Sequence, residues 1–224
     1  MTFVILCDFD GTIVDIDTAE YLLEKFGQGN WQQYDMQLEQ GEITLEECMI
    51  KQYAMIKTPK AVLLEDLANA ATMRPHFDSL VAYCKARKIP LIIVSAGLDF
   101  CITYFLEKIG DSLIEIHAAK TNFSDKGIEL VFPELRDKTS TDFKVDLIRF
   151  YQNQGKQVVY IGDSLSDFNA VKDADFSFTI KGAKLSEFCR RQGIRHQEIE
   201  TFQEIIDLIE KEGSLLFSSK TRMM

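Results

Sequence analysis

The sequence lacks long apolar segments, and this absence limits where the protein can reside. Its longest apolar runs, residues 89–94 and 158–161, are much shorter than the roughly 20 residues that span a bilayer. The N-terminus enters residues 3–6 without a basic region or a small-residue cleavage site, so we expect no signal peptide. These observations predict a cytoplasmic protein that does not contact a membrane.

Positive charge is also scarce, with 25 Lys and Arg residues against 35 Asp and Glu, for a formal net charge of -10. No basic stripe interrupts this balance, so a nucleic-acid partner is not expected. An anionic small molecule remains possible, because a bound cation and one lysine can reverse the sign locally. The five cysteines are scattered and form no C-x-x-C pair, which predicts reduced thiols rather than disulfides.

Short β-rich apolar runs alternate with helical patterns along most of the chain. The runs occupy residues 2–7, 89–95, 113–117, 157–162 and, more weakly, 176–180. The helical patterns occupy residues 73–87, 98–109, 141–152, 165–172 and 183–192. Continuously apolar strands are typical of parallel sheets buried on both faces. The alternation therefore predicts an α/β fold with a doubly wound parallel sheet.

One long segment interrupts this alternation. From about residue 15 to 72 the pattern is helical throughout, and Thr44 with Glu47 forms a capping box that opens one of its helices. We therefore predict a core built from residues 1–14 and 73–224, with a helical domain at residues 15–72 inserted into it.

Two further segments stand outside the alternation. Residues 120–132 alternate in polarity around Gly127, which predicts a short hairpin. The tail from Gly213 is expected to be loosely held, although its apolar residues 215–217 offer a packing surface.

Acidic residues follow two of the predicted strands. Asp8 and Asp10 lie in D-F-D-G-T after the first strand, and Asp163 and Asp167 lie in G-D-S-L-S-D after the strand at 157–162. Ligands of open α/β sheets bind at the carboxyl ends of strands. If the two strands are neighbours, Asp8 and Asp163 converge, and a cation such as Mg²⁺ is needed between them. The alternatives are a solvated acidic turn and simple N-capping of the next helix.

Two further segments offer groups for an anion. Ser95 and Gly97 follow the strand at 89–94, where a hydroxyl and backbone N–H groups at a helix N-terminus can hold phosphate oxygens. Lys144 lies at the start of a predicted helix, 19 residues before Asp163. An N-cap role for Ser95 and a solvated position for Lys144 are the alternatives.

Taken together and in this order, D-F-D-G-T, V-S-A-G, a lysine and G-D-S-L-S-D resemble the motifs of the haloacid dehalogenase superfamily of phosphatases, over the chain to about Gly213. The helical insert after the first motif resembles the C1 cap of that family. This places the sequence beside phosphoserine phosphatases and, more closely, the 2-hydroxy-3-keto-5-methylthiopentenyl-1-phosphate phosphatases of methionine salvage. The resemblance implies a magnesium-dependent phosphomonoester hydrolase with an aspartyl-phosphate intermediate.

The resemblance also implies a role for each motif residue. Asp8 would be the nucleophile and Asp10 the general acid and base. Magnesium would be bound by the Asp8 carboxylate, the Asp10 backbone carbonyl and Asp163, with Asp167 supporting these ligands. The phosphoryl oxygens would be held by three groups: Ser95, the Gly97 N–H and Lys144.

Three residues of the insert bear on the substrate. Asp17 stands where phosphoserine phosphatases have a glutamate for the substrate ammonium, although it is equally suited to cap the next helix. Gln52, beside Lys51, stands where they have an arginine for the substrate carboxylate. A neutral Gln cannot replace a bidentate guanidinium, so phosphoserine is a weaker candidate unless Lys51 substitutes.

Several functions remain compatible with these residues. The first choice is hydrolysis of a small phosphorylated metabolite, with the methionine-salvage enol phosphate as the leading example. Phosphoserine hydrolysis and broad-specificity phosphatase activity are the main alternatives. A phosphotransferase would use the same residues, and a non-catalytic regulatory protein is disfavoured because Asp10 is present.

Overall fold

Seven strands form one sheet in the part of the chain that the computed structural model describes, which is the backbone of residues 3–140 and 142–216 and the side chains through residue 211. The strands are β1 Phe3–Cys7, β2 Leu91–Leu98, β3 Glu115–Ser124, β4 Gly127–Val131, β5 Gln157–Gly162, β6 Phe176–Ile180 and β7 Gln197–Ile199. Their order is β4-β3-β2-β1-β5-β6-β7. Only the β3–β4 pair is antiparallel among these strands.

Ten helices accompany the sheet within the described residues. They are α1 Thr18–Phe26, α2 Gln32–Glu39, α3 Leu45–Tyr53, α4 Lys60–Ala70, α5 Phe77–Arg87, α6 Asp99–Lys108, α7 Phe143–Asn153, α8 Phe168–Asp173, α9 Lys184–Gln192 and α10 Gln203–Leu216, with a 3₁₀ turn at Leu165–Asp167. The predicted α/β class with a doubly wound, mostly parallel sheet is confirmed.

The central strand β1 is buried on both faces, which explains its continuous apolar sequence. Val4 and Leu6 belong to the hydrophobic cluster that α7, α8 and α9 cover. Ile5 and Cys7 belong to the cluster on the other face, which α5, α6 and α10 cover. All four side chains are fully inaccessible to solvent, because successive residues of a strand point to opposite faces of a sheet that helices cover on both sides.

Helices α1–α4 form a helical segment between β1 and α5. The chain leaves and re-enters the core at one place, where Val14 and Met73 form an antiparallel bridge. The Asp15 N–H donates to the Thr72 carbonyl at 3.0 Å. The Thr44–Glu47 capping box predicted from the sequence is present at the start of α3.

Some elements differ from the predictions. Strand β2 runs to Leu98, past the predicted strand end at 95, so Ser95 and Gly97 lie within the strand and not at a helix N-terminus. Helix α6 starts at Asp99, one residue after its predicted start. Strand β3 begins at Glu115 and continues into the hairpin, which leaves Leu113 exposed. Strand β7 and helix α10 were not predicted from the sequence. Helix α10 includes the start of the tail expected to be loose, and residues 217–224 lie outside the described residues.

Each described helix is too short or too polar to cross a bilayer.

Candidate active site

Two neighbouring strands bring the predicted acidic residues together. Strands β1 and β5 are parallel, with Cys7 opposite Ile161, and the Asp8 N–H donates to the Ile161 carbonyl at 2.9 Å. Asp8 and Asp163 therefore emerge at the same edge of the sheet. One carboxylate oxygen each from Asp8, Asp163 and Asp167 lie within 4.8 Å of one another, so the convergence expected from the strand ends occurs.

Lys144 is buried among these carboxylates and is not a solvated surface lysine. The Asp142 side chain caps α7 and fixes its first turn, which carries Lys144. The Lys144 Nζ atom lies 3.2 Å from Asp8 Oδ1 and 2.6 Å from Asp167 Oδ1. Burial alone would lower the pKa of Lys144, but Asp8 and Asp167 outweigh it and the pKa is raised. The ammonium group is therefore charged at neutral pH.

Asp167 uses both of its oxygens within the protein. Its Oδ1 accepts from Lys144 and from the Tyr160 hydroxyl at 2.5 Å. Its Oδ2 accepts from the backbone N–H groups of Asp163 and Ser164, each at 3.1 Å. The Asp167 side chain does not cap α8. It accepts from the Ser164 N–H in the capping box of the 3₁₀ turn, and the same carboxylate holds Lys144. A Cβ atom on Gly162 would come within 2.6 Å of Asp167 Cγ, so only glycine fits there.

Asp10 faces two different elements. Its Oδ1 accepts from the backbone N–H of Thr18 at 2.8 Å and from the Thr18 hydroxyl at 2.6 Å. Its Oδ2 faces Gly97, where a Cβ atom would come within 2.2 Å. Burial raises the pKa of Asp10 to about 7, with Asp17 adding to this effect and the Thr18 bonds opposing it. The Asp10 carboxyl group is therefore able to carry a proton near neutral pH.

Ser95 lies within β2, four residues before α6, and does not cap that helix. It is almost fully buried, and its Oγ accepts from the Gly97 N–H at 3.0 Å. Because the Gly97 N–H already donates to one lone pair of Ser95 Oγ, the hydroxyl proton of Ser95 points away from Gly97 and can donate to another acceptor. Both Ser95 and Gly97 line the same cleft as Asp8.

The charges at this site are unbalanced in a way that fits a divalent cation. Burial, followed by Asp167, raises the pKa of Asp8 well above its usual range despite Lys144. Burial, again followed by Asp167, raises the pKa of Asp163 to about 6. Lys144 is the only basic residue among the described residues that line the cleft. An all-oxygen donor set with surplus negative charge suits Mg²⁺.

The cleft has a volume of about 540 Å³, and its walls come from the sheet edge and from helices α1, α2 and α3. Asp17 lines it and also caps α1 by accepting from the Glu20 N–H at 2.8 Å. Gln52 lines it, is 5% exposed and donates to Asp35 at 2.8 Å. Lys51 does not line the cleft. It is exposed, with its Nζ 5.5 Å from the ring centre of Tyr34.

Several residues of the site were not singled out from the sequence. Arg74 donates to the backbone carbonyls of Gly11 and Thr12, each at 2.8 Å, and the Thr12 hydroxyl donates to Asp163 at 3.1 Å. Tyr160 resembles an ordinary core residue of β5. The partners of Arg74 and Thr12 lie far away in the chain, and local patterns carry no signal for such contacts.

A model of the haloacid dehalogenase-like hydrolases matches residues 5–172, and the chain belongs to this family. The predicted resemblance and the assignment as an enzyme are thereby confirmed.

Two proteins illustrate the sequence similarity. The chain is 27% identical over 213 residues to the 2-hydroxy-3-keto-5-methylthiopentenyl-1-phosphate phosphatase of Brevibacillus brevis, covering 93% of this chain and 95% of that protein. It is 30% identical over 226 residues to Pdp3-interacting factor 1 of Schizosaccharomyces pombe, covering 96% of each. A solved structure of phosphoserine phosphatase as a phospho-aspartyl intermediate analogue has a TM-score of 0.63 at 18% identity, covering 92% of this chain and 98% of that one. The similarity to this solved structure is a similarity of fold alone.

Proposed function

We propose that the protein is a magnesium-dependent phosphomonoester hydrolase that acts on a small phosphorylated metabolite through a phosphorylated Asp8. The observation that carries this proposal is the convergence of Asp8, Asp163 and Asp167 within 4.8 Å, with the Lys144 ammonium group 3.2 Å from Asp8. A nucleophilic carboxylate, a fixed cation and a metal-compatible acidic cluster are the parts that phosphoryl transfer requires.

The protein's own residues divide the reaction into two steps. An Asp8 carboxylate oxygen attacks phosphorus, and the bond between phosphorus and the leaving oxygen breaks as Asp10 donates a proton to that oxygen. Asp10 then accepts a proton from the water that attacks the phosphorylated Asp8, which releases inorganic phosphate and restores the carboxylate. Lys144 neutralises charge on Asp8 and on the phosphoryl oxygens. The Ser95 hydroxyl and the Gly97 N–H bond to one another at 3.0 Å. With substrate bound, both would donate hydrogen bonds to the same phosphoryl oxygens.

Magnesium would be held by the Asp8 carboxylate, the Asp10 backbone carbonyl and Asp163. When bound, it would supply positive charge between two groups that otherwise repel, the nucleophile and the phosphate. Asp167 would act indirectly, because its oxygens already hold Lys144, Tyr160 and the 163–164 backbone.

The helical segment at residues 15–72 would serve as a cap over the cleft. Its two ends meet at the Val14–Met73 bridge, which is the geometry of a segment attached at one point. Three of its helices line the cleft, so a change in their position would change the access of water.

The favoured substrate is the enol phosphate of methionine salvage, with phosphoserine and a broad range of small phosphate esters as alternatives. Gln52, which donates to Asp35, offers no positive charge for a substrate carboxylate, and Lys51 lies outside the cleft lining. Tyr53 lines the cleft and is 3% exposed. Its hydroxyl has no hydrogen-bond partner among the described residues, so it is available to a polar leaving group.

A phosphate-release assay with a panel of phosphorylated metabolites tests this proposal. We expect turnover in Mg²⁺ that a chelator abolishes and added Mg²⁺ restores. Asp8→Asn should remove nearly all turnover, whereas Asp125→Asn, an exposed acid on the β3–β4 turn, should not. Mass spectrometry of acid-quenched enzyme should find one phosphoryl group on the peptide that contains Asp8. Full activity in chelator, or an active Asp8→Asn variant, would contradict the proposal.

A further inference from the structure

A second cavity of about 370 Å³ lies beside the catalytic cleft, between helix α3 and the segment that joins β4 to α7. Its walls are mainly apolar and include Leu45, Met49, Phe132, Leu135 and Phe143. We call it the apolar chamber. Its volume is at the lower end of the range for small-molecule sites, which are typically lined by hydrophobic residues with few polar groups.

The apolar chamber is continuous with the catalytic cleft. The two cavities share four lining residues, namely Leu45, Met49, Ser95 and Ala96. Ser95 is one of the residues proposed above to hold the phosphoryl group, and Phe143 directly precedes Lys144 in α7. A molecule whose phosphate lies at Asp8 can therefore extend its other end past Ser95 into the chamber.

Met49, Phe132 and Phe143 pack against the hydrophobic clusters of the protein, but two leucines of the chamber wall do not. Leu45 is 55% exposed, and neither Leu45 nor Leu135 belongs to the two hydrophobic clusters that the described residues form. Exposed apolar surface of this kind at a cavity is typical of a binding site. Burial of that surface by an apolar ligand would be favourable.

Charge distinguishes the chamber from the rest of the cleft. Glu46 is the only charged residue among the described residues that line the chamber. By contrast, the far wall of the catalytic cleft carries Asp17, Glu20 and Asp35. An uncharged chain would lose its hydration most easily in the chamber. A second anionic group would meet no basic residue among the described lining residues of the chamber, and only Lys144 among those of the cleft.

We propose that the apolar chamber binds the far end of the leaving group, so that preferred substrates are phosphomonoesters of alcohols that carry an uncharged apolar chain. This inference rests on the proposed phosphatase function. It assigns a substrate feature to Leu45, Leu135 and Phe143, none of which takes part in the chemistry.

A series of n-alkyl phosphates from methyl to hexyl tests the inference. We expect kcat/KM for phosphate release in Mg²⁺ to rise about fourfold for each added methylene until the chamber is filled. Leu45→Ser and Leu135→Ser should each flatten this dependence. Ile50→Ser should retain it, since Ile50 is a 44% exposed residue of the same helix that lines neither cavity. The comparison uses the ratio of hexyl to methyl phosphate within each variant, so that a general loss of activity cancels.

Calorimetric binding of the matching alkylphosphonates, which lack a hydrolysable ester, separates the two proposals. Affinity that rises with chain length and falls in Leu45→Ser supports the chamber, even if no ester is hydrolysed. Phosphate release that is independent of chain length in the parent protein would overturn the chamber and leave the phosphatase proposal standing. Equal chain-length dependence in Leu45→Ser and Ile50→Ser would also overturn it.

Discussion

At the scale of single residues, Asp10 is distinguished from Asp8 by what surrounds it. Asp8 contacts the Lys144 ammonium group at 3.2 Å, whereas Asp10 accepts two bonds from Thr18 on the first helix of the insert. Burial and Asp167 raise the pKa of Asp8 despite Lys144, so a bound cation beside Lys144 would be needed to keep Asp8 the anion that acts as a nucleophile. The environment of Asp10 holds a carboxyl group with a pKa of about 7, raised chiefly by burial, which suits a group that gives up and regains a proton.

Asp10→Asn should therefore lose turnover without losing the nucleophile. We expect kcat to fall by about 10²- to 10⁴-fold for an alkyl phosphate, because the leaving oxygen must depart unprotonated. An aryl phosphate with a good leaving group should still phosphorylate Asp8 in this variant. Rapid-quench measurement of phosphorylated enzyme checks this outcome. Equal losses for alkyl and aryl phosphates would contradict the role proposed for Asp10.

Tyr160 makes its contribution through Asp167 rather than through a substrate. Its hydroxyl donates to the fully buried Asp167 Oδ1 at 2.5 Å, and a hydrogen bond to a charged group contributes about 1.5–3 kcal/mol. Tyr160→Phe should lower the free energy of unfolding by about that amount, as measured by urea denaturation. Tyr151→Phe is the matched control, because the Tyr151 hydroxyl has no hydrogen-bond partner among the described residues. Equal losses in the two variants would show that the Asp167 bond is not the cause.

At the scale of elements, the insert contacts the β3–β4 hairpin, in addition to the Val14–Met73 bridge and the bonds from Thr18 to Asp10. Gly127, at the start of β4, has φ +120°, and a Cβ atom there would come within 2.1 Å of the Ala54 carbonyl oxygen at the end of α3. The β3–β4 hairpin is thus packed directly on the backbone of the insert. This contact depends on the absence of a side chain at one residue.

Gly127→Ala should destabilise the folded protein by more than the backbone strain of alanine at a positive φ accounts for. We expect the free energy of unfolding to fall by more than the roughly 1–2 kcal/mol that a left-handed alanine costs, because the Ala54 backbone must also move. Gly155→Ala supplies the comparison, since Gly155 has φ +76° but open space around its Cβ position. Chemical denaturation of both variants measures the difference. Equal losses of unfolding free energy would mean that the Ala54 backbone moves without a free-energy penalty.

At the scale of the whole molecule, the active-site charge links stability to the metal. Asp8 lies far in the chain from Asp163 and Asp167, and the three carboxylates meet only in the folded protein. A cation that binds them stabilises the folded state by mass action, because the unfolded chain has no such site.

Magnesium should therefore raise the melting temperature of the protein in a concentration-dependent manner, independently of any substrate. Asp163→Asn should abolish most of this shift, because Asp163 is proposed as a direct ligand. Thr12 donates to only one of its oxygens, which leaves the other for the ion. Asp125→Asn should leave the shift unchanged. Differential scanning fluorimetry across a magnesium titration checks this outcome. A shift of equal size in all three proteins would place the ion elsewhere.

The sequence alone determined the α/β class, the helical nature of the insert and the placement of acids after two strands. Each of these follows from local chemistry: apolar runs specify buried strands, helical periodicity specifies amphipathic helices, and D-F-D-G-T and G-D-S-L-S-D stand directly after their strands. Only the tertiary structure decided that Lys144 is buried against Asp8 and that Lys51 lies outside the cleft. It also revealed the roles of Arg74, Tyr160 and Thr18, and it joined the apolar chamber to the catalytic cleft. These features depend on contacts between residues far apart in the chain, and local propensity carries no information about which distant side chains a fold brings together.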